Sequence, residues 1–177
     1  MNETLRIIRE RRSCRSYKND SIPADILDAI IDAGLWAPTA MNLQDRHFTV
    51  IRDTAILDRM NTLARVKMPD DVLTRLTERN GGNRDISVHY FAPVLIVLSG
   101  SETSCALAAE NICIAAQSLG IGSCILGLVT ILFDNDNTLA SDLKIPNDMK
   151  PRLAVSLGYI SNQTLEQERI SGQVTYL

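Results

Sequence analysis

The sequence predicts a single domain of mixed α and β structure, in which two helices precede a series of alternating strands and helices. Apolar residues recur at helical spacing in some segments, and short continuous apolar runs typical of buried strands lie between them. The 177 residues are 45% hydrophobic, enough for one sizeable core, and no linker or repeat divides them. We therefore expect one domain over residues 1–177. The order of elements alone leaves open a doubly wound parallel sheet or an antiparallel sheet.

The first predicted helix runs from about Thr4 to Arg12. Asn2 or Thr4 can cap it, because short polar side chains accept hydrogen bonds from free backbone N–H groups at helix starts. Leu5 and Ile8 share one side of this helix, so we expect them to face the core.

The second predicted helix carries Pro23 in its first turn and ends between Gly34 and Ala37. It ends there because the residue before a proline, here Pro38, is pushed out of the helical conformation. One apolar stripe marks its inner face, formed by Ile26, Leu27, Ile30 and Ile31.

The remaining elements follow from apolar runs and breakers, and the polar run from Thr77 to Asp85 is predicted to be a loop. Strands are expected at His47–Ile51, Cys124–Leu126 and Leu153–Leu157. Helical structure is expected in a stretch broken by Pro69 at Thr54–Leu76, in a helix at Ser104–Leu119 and in a short helix end at Leu143–Pro146.

The helix predicted at Ser104–Leu119 is apolar on more than one side. Such a helix is buried all round, either in the centre of the core or against a partner subunit. Gly120 followed by Ile121 fits a helix C-terminus in which glycine takes the left-handed conformation.

Charge and composition exclude several classes of protein. The net charge is −3, which disfavours a nucleic-acid-binding module. The charged first ten residues carry no secretory signal, and polar residues break up the apolar run Ile112–Phe133, so we expect neither secretion nor a membrane span. We expect a cytoplasmic protein with structural histidines, His47 and His89, no metal site, and reduced, structural cysteines. The four cysteines are Cys14, Cys105, Cys113 and Cys124.

Three arginines and a serine lie close together at the end of the first predicted helix, at Arg11, Arg12, Ser13 and Arg15. Guanidinium groups match the geometry of phosphate and stay charged at any working pH. The cluster therefore indicates an anionic ligand, with a solvated basic turn as the alternative.

This cluster, followed by a helix, the segment Ala37–Gln44 and an apolar strand, resembles the opening of the nitroreductase family of FMN-dependent oxidoreductases. Further segments resemble the family in the same order. They are the strand Tyr90–Val97 with its Ala-Pro, the long helix and strand over Ala109–Cys124, and Leu157–Tyr159.

The resemblance implies an α+β fold with a mixed, mostly antiparallel central sheet flanked by helices, and it implies FMN as cofactor. It also implies a homodimer that passes two electrons from NADH or NADPH to a nitroaromatic, quinone or similar acceptor by a ping-pong mechanism. In such enzymes the cofactor supplies the difficult chemistry, so no catalytic side chain is assigned. A flavin-binding storage or sensing protein is the alternative.

The resemblance also implies roles for particular residues. Arg11 and Ser13, with Arg12 beside them, match residues at the FMN phosphate, and Arg15 matches the cation at the N1/O2 edge of the flavin. Arg169 lies where the family places another basic residue near the phosphate.

Two backbone segments complete the implied site. Ile125, Leu126 and Gly127 match the segment that passes the flavin N5 edge. A loop matches the one that reaches the flavin across the subunit interface, and its residues are Pro38, Thr39, Ala40, Asn42 and Gln44.

The sequence departs from the family directly after this loop. The usual proline and aromatic residue are replaced by Asp45 and Arg46, so the resemblance fixes neither the loop shape nor the substrate. The glycines of Gly120–Gly127 are not a dinucleotide fingerprint, because they follow a helix and precede a strand, the reverse of the required order.

Overall fold

The computed structural model describes residues 1–79, 87–133, 138–162, 169–170 and 174–177. These residues form one four-stranded sheet covered by helices on both faces. The helices are α1 Glu3–Glu10, α2 Ala24–Leu35, α3 Thr54–Lys67, α4 Asp70–Arg79, α5 Glu102–Ser118 and α6 Thr138–Asp142. The strands are β1 Arg46–Ile51, β2 Val94–Gly100, β3 Gly122–Leu126 and β4 Pro151–Gly158, and short 3-10 helices span Ala40–Asn42 and Leu128–Phe133.

The strand order is β1-β2-β4-β3, and each neighbouring pair is antiparallel. The predicted α+β class with an antiparallel sheet is therefore confirmed, and a doubly wound parallel sheet is excluded. One parallel contact does occur, an isolated bridge between Ser13 and Ser123 that places the N-terminal segment at the outer edge of β3.

Two apolar clusters sandwich the sheet, because successive side chains of β2 point to opposite faces. Leu95 and Val97 pack on the side of α3 and α4, whereas Ile96 and Leu98 pack on the side of α2 and α5. All four are fully buried, so β2 reads as a continuous apolar run in the sequence.

The first helix begins as predicted and ends earlier. Asn2 caps it by accepting a 3.0 Å hydrogen bond from the Leu5 N–H. It ends at Glu10 because Arg11 has left the helical conformation, with φ −56° and ψ 134°. The expectation that Leu5 and Ile8 face the core is wrong, since they are 51% and 45% exposed and Ile7 is the buried residue. This short helix is covered along one side only.

The second strand also begins later than predicted, at Val94. Tyr90 and Phe91 take left-handed conformations, each with φ 56°, and cannot continue a strand. α4 extends to Arg79, where a loop is expected from Thr77 to Asp85, and positions 80–85 of that expected loop lie outside the described residues.

Burial of α5 is one-sided in the single chain. Its inner side is fully buried, but Leu107 is 41% exposed and Ala106 is exposed as well, so the expectation of burial all round is not met within one subunit. Its end is as predicted, with Gly120 at φ 74° and a 2.8 Å hydrogen bond from the Ile121 N–H to the Ala116 carbonyl.

The four cysteines are free and buried, as expected for reduced structural residues. Within the described ranges, no helix has both the length and the apolar character that a membrane span requires.

Candidate functional site

Hydrogen bonds to the sheet hold the arginine cluster in place. The Cys14 N–H donates to the Ser123 carbonyl at 2.8 Å, and the Lys18 N–H donates to the Tyr159 carbonyl at 2.8 Å. Between them, the Tyr17 hydroxyl donates to the Cys14 carbonyl at 2.8 Å. The segment that carries Arg11 to Arg15 is therefore fixed along the outer edge of β3.

Arg11 and Arg12 lie at the start of this segment, and both are partly buried. Arg11 Nε is 3.4 Å from Glu110 Oε1, which links the end of α1 to α5. Arg12 Nη1 donates to the Arg11 carbonyl at 2.8 Å and also to the Arg9 carbonyl. Part of the Arg12 guanidinium thus stabilises the free carbonyls at the end of α1.

Arg15 reaches an open cleft with about 460 Å³ of empty space. The same cleft is lined by Ile125, Leu126 and Gly127, which are some 110 positions away in the sequence. The structure therefore brings together the predicted cation and the predicted backbone segment. The other lining residues are Met68, Leu76, Val88, Tyr90, Cys124 and Leu128.

The backbone of β3 is open toward this cleft. The Ser123 carbonyl accepts from Cys14, so it points away from β4 toward the N-terminal segment. Residues two apart in a strand direct their backbone groups to the same edge. Ile125 therefore directs its N–H and carbonyl to that edge, beside Arg15. Ile125 is 39% exposed.

Neutral groups form most of the cleft wall. Burial is the largest influence on Cys124, and it raises the pKa of this thiol. The thiol stays protonated at neutral pH and is not an activated nucleophile. Met68 and Leu76 supply an apolar wall of the cleft. Both lie between β1 and β2, in a region whose sequence pattern indicates no function.

The loop Pro38–Gln44 lies elsewhere, between the end of α2 and β1, and its residues do not line the cleft of the single chain. Asn42 and Gln44 take left-handed conformations, with φ 55° and 49°, and Thr39 Oγ1 accepts from the Gln44 N–H at 3.0 Å. Pro38, Ala40, Asn42 and Gln44 are exposed.

Asp45 and Arg46, the two departures from the family pattern, anchor the end of this loop. Asp45 Oδ1 accepts a 2.7 Å hydrogen bond from Ser104 Oγ on α5. Arg46 Nη2 donates to the Leu35 carbonyl at the end of α2. These contacts join the loop to two helices, a structural role that requires no substrate contact.

A buried polar network lies behind the cleft. His89 Nδ1 donates to the Ala92 carbonyl at 3.1 Å, so its Nε2 is the acceptor for the Asn61 amide at 3.2 Å. Asn61 Oδ1 accepts from the Val88 N–H at 3.0 Å. Burial lowers the pKa of His89 to about 4, and the ring is neutral at physiological pH. The predicted structural role of His89 agrees with these contacts.

Sequence reasoning missed Tyr90 as a cleft residue. The Arg15 guanidinium carbon lies 6.0 Å from the centre of the Tyr90 ring. The resemblance predicts a strand at Tyr90, and no local signal indicates a left-handed turn there.

Two further predictions concern the site. Arg169 is exposed, and its role stays a prediction. The described part of the chain contains no cluster of residues suited to a metal ion.

Comparison with known proteins gives consistent matches. The model of the Nitroreductase family matches residues 8–159. A candidate NADH dehydrogenase/NAD(P)H nitroreductase from Archaeoglobus fulgidus is 31% identical over 159 residues, covering 90% of this chain and 86% of the relative. An FMN reductase [NAD(P)H] from Bacillus subtilis is 25% identical over 192 residues, covering 100% of this chain and 76% of the relative. The crystal structure of a nitroreductase with bound FMN from Bacteroides fragilis superposes with a TM-score of 0.89 at 32% identity, covering 100% of both chains.

Proposed function

Since this chain belongs to the nitroreductase family, we propose that it is an FMN-dependent oxidoreductase that uses NADH or NADPH as electron donor. One observation of the structure carries the proposal. Arg15 and the strand end Ile125–Gly127, distant in sequence, meet in a single open cleft.

The residues at this cleft fit FMN. A flavin mononucleotide has an anionic phosphate, a polar chain and a planar ring, and it needs cations at one end and an open, largely apolar surface at the other. Arg11 and Ser13 lie on the anchored segment leading to Arg15, and the space around Gly127 is open, with nothing within 4 Å of an added Cβ. Positive charge and an open strand edge therefore occur side by side.

Each group has a proposed role. Arg11, Arg12 and Ser13 hold the phosphate, with Arg169 as a further partner, and Arg15 stabilises negative charge at the pyrimidine edge of the ring. The Ile125–Gly127 backbone orients the ring through N–H and carbonyl groups at the open edge of β3. The loop Pro38–Gln44 contacts the flavin of a partner subunit, which accounts for its exposure in the single chain.

FMN supplies two-electron chemistry, taking electrons from NADH or NADPH and giving them to an acceptor. We propose a nitroaromatic, quinone or similar molecule as the acceptor, bound after the donor has left in a ping-pong cycle. The apolar wall formed by Met68, Leu76 and Val88 favours a planar, weakly polar molecule.

Anaerobic reduction tests the proposal. Purified protein loaded with FMN is mixed with NADH or NADPH under anaerobic conditions, and the flavin absorbance near the visible maximum is followed. We expect rapid bleaching, followed by recovery of the yellow colour when a quinone is added. Protein that binds FMN stoichiometrically but does not bleach with either donor would be a storage or sensing protein instead.

We also propose that the active form is a symmetric homodimer. Leu5 and Ile8 of α1 and Leu107 of α5 are exposed, and the Arg11–Glu110 ion pair places these two helices on one side of the molecule. Trp36, just before the loop, and Met41, within it, are 79% and 88% exposed. Large apolar side chains exposed on one subunit are typical of an interface between subunits, and these side chains support the proposed dimer.

A charge on this surface is expected to separate the subunits. Leu107→Glu would bury an unpaired carboxylate in the proposed interface. Ala116→Glu would be unsuitable as a test, because Ala116 is fully buried inside one chain and a charge there would disrupt folding. We expect light scattering to give a dimer for the wild type and a monomer with weakened FMN retention for Leu107→Glu.

Val66→Glu is the matched control, because Val66 is an 80% exposed apolar residue on α3 and belongs to neither α1 nor α5. It should remain dimeric and yellow. A wild-type monomer that holds FMN stoichiometrically would contradict the proposed shared site.

A further inference from the structure

Two strained residues, Tyr90 and Phe91, form the turn that leads into β2. Both have φ 56°, a left-handed conformation that is unfavourable for residues with a Cβ. Glycine could adopt it without this cost, so the surrounding structure must hold two aromatic residues there.

Three buried polar side chains hold the turn. Ser87 Oγ accepts from the Phe91 N–H at 2.9 Å. His89 Nδ1 donates a hydrogen bond to the Ala92 carbonyl. The Asn61 side chain donates to His89 Nε2 and accepts from the Val88 N–H. These three polar residues are about 5% exposed or less. The turn is therefore fixed by a buried polar network, and the Tyr90 ring also packs against the apolar cluster on the α3 side of the sheet.

The two rings of this turn go to different places. Tyr90 lines the cleft, with its ring centre 6.0 Å from the Arg15 guanidinium carbon. Phe91 is 44% exposed and does not line the cleft. Its ring packs edge-on against the His89 ring, with the two ring centres 6.3 Å apart. Only the first ring can affect a molecule bound beside Arg15.

Arg15 is exposed. Its Nη1 makes one long hydrogen bond among the described residues, 3.5 Å to the Ser13 carbonyl. Across the described ranges, no carboxylate pairs with it. A carboxylate would orient the guanidinium but would also neutralise it. An aromatic face attracts the cation through its quadrupole and leaves the full positive charge available to a ligand.

We propose that Tyr90 is a positioning residue that holds the Arg15 guanidinium over the cleft, directed at the negatively charged edge of bound FMN. This inference rests on the proposed function. The strained turn then has a physical purpose, because it places an aromatic face beneath a cation that no carboxylate of the described residues restrains. Tyr90 acts through Arg15 and requires no chemistry of its own hydroxyl.

Titration of FMN into cofactor-free, full-length protein tests the inference, with quenching of flavin fluorescence as the readout. We expect Tyr90→Leu to raise the FMN dissociation constant about fivefold, and Tyr90→Phe, which keeps the ring face, to stay within about twofold of the wild type. Phe91→Leu is the matched control, because it changes an aromatic of equal φ in the same turn but outside the cleft. It should leave the constant unchanged.

A double-mutant cycle separates positioning of Arg15 from direct packing of Tyr90 on the flavin. In an Arg15→Ala background, Tyr90→Leu should have almost no further effect on the FMN dissociation constant. The midpoint potential of the bound flavin should fall in Tyr90→Leu and in Arg15→Ala, and no further in the double variant.

Three results would overturn the inference. They are an equal loss from Tyr90→Leu with and without Arg15, a loss from Tyr90→Phe as large as that from Tyr90→Leu, and an equal loss from Phe91→Leu. If the wild type itself does not bind FMN, the proposed function fails and this inference fails with it. If the wild type binds FMN and Tyr90→Leu matches it in affinity and potential, only the inference fails.

Discussion

Gly100→Ala is expected to lower the free energy of unfolding by on the order of 4 kcal/mol, because two separate costs act at this position. Gly100 has φ 121°, a conformation that side-chain-bearing residues rarely adopt. A Cβ there would also lie 2.2 Å from the Asp45 carbonyl oxygen and 3.0 Å from the Arg46 Cα.

The backbone around Gly100 cannot move away easily. The Asp45 carbonyl accepts from the Ser101 N–H at 3.0 Å, and the Gly100 N–H donates to the Lys150 carbonyl at 2.9 Å. This close crossing fixes the point where the loop Pro38–Gln44 enters β1. Gly100→Ala should therefore weaken FMN retention as well as stability.

Denaturant unfolding followed by circular dichroism measures the effect, and Gly127→Ala provides the control. An added Cβ at Gly127 meets nothing within 4 Å, and its φ lies outside the left-handed range. We expect that variant to unfold within about 0.5 kcal/mol of the wild type. A loss below about 1 kcal/mol for Gly100→Ala would show that the backbone at this crossing can shift to accommodate the added Cβ.

Local sequence signals predicted most of the helices and strands because those signals act over a few residues. Asn2 as a cap, the break at Pro69 and the glycine end of α5 at Gly120 are set by nearby backbone chemistry. Burial of α1 was predicted wrongly for the opposite reason. Which side of α1 meets α5 depends on packing between distant segments, and periodicity cannot identify that side when Leu5, Ile7 and Ile8 are all apolar.

The residues of the candidate site also differ in whether the sequence could identify them. Arg15 and Ile125–Gly127 were assigned from a resemblance that covers the whole chain, and the structure brings them into one cleft. Tyr90 could not be found in this way. Its position depends on a left-handed turn held by Asn61 and His89, which are 28 residues apart, and no short pattern encodes such a contact.

Acidification is expected to destabilise the protein through His89. Burial is the main cause that lowers the pKa of this ring from 6.5 to about 4, because the charged form is poorly solvated inside the protein. Nδ1 donates to the Ala92 carbonyl, and a proton added at Nε2 would face the amide donors of Asn61. The hydrogen bonds that hold the Tyr90 turn therefore require the neutral ring.

The sign of the effect follows from the order of the two pKa values. The unfolded chain binds a proton at His89 as the pH falls through about 6.5, whereas the folded chain does so only near 4. The contribution of His89 to stability is therefore complete above about pH 6.5 and declines as the pH falls toward 4. The full loss is about 3 kcal/mol, at roughly 1.4 kcal/mol per pH unit.

Unfolding free energies measured from pH 7 to pH 4 for the wild type and for His89→Gln check this expectation. Glutamine can keep an amide in the network but does not titrate, and the aspartates and glutamates contribute equally to both proteins, so the difference between the curves isolates His89. We expect the wild type to lose its advantage progressively below pH 6.5, and flavin release to accompany that loss because the turn carries Tyr90 beneath Arg15. Parallel curves for the two proteins would mean that His89 titrates alike in the folded and unfolded chains and that the buried network does not depend on its protonation.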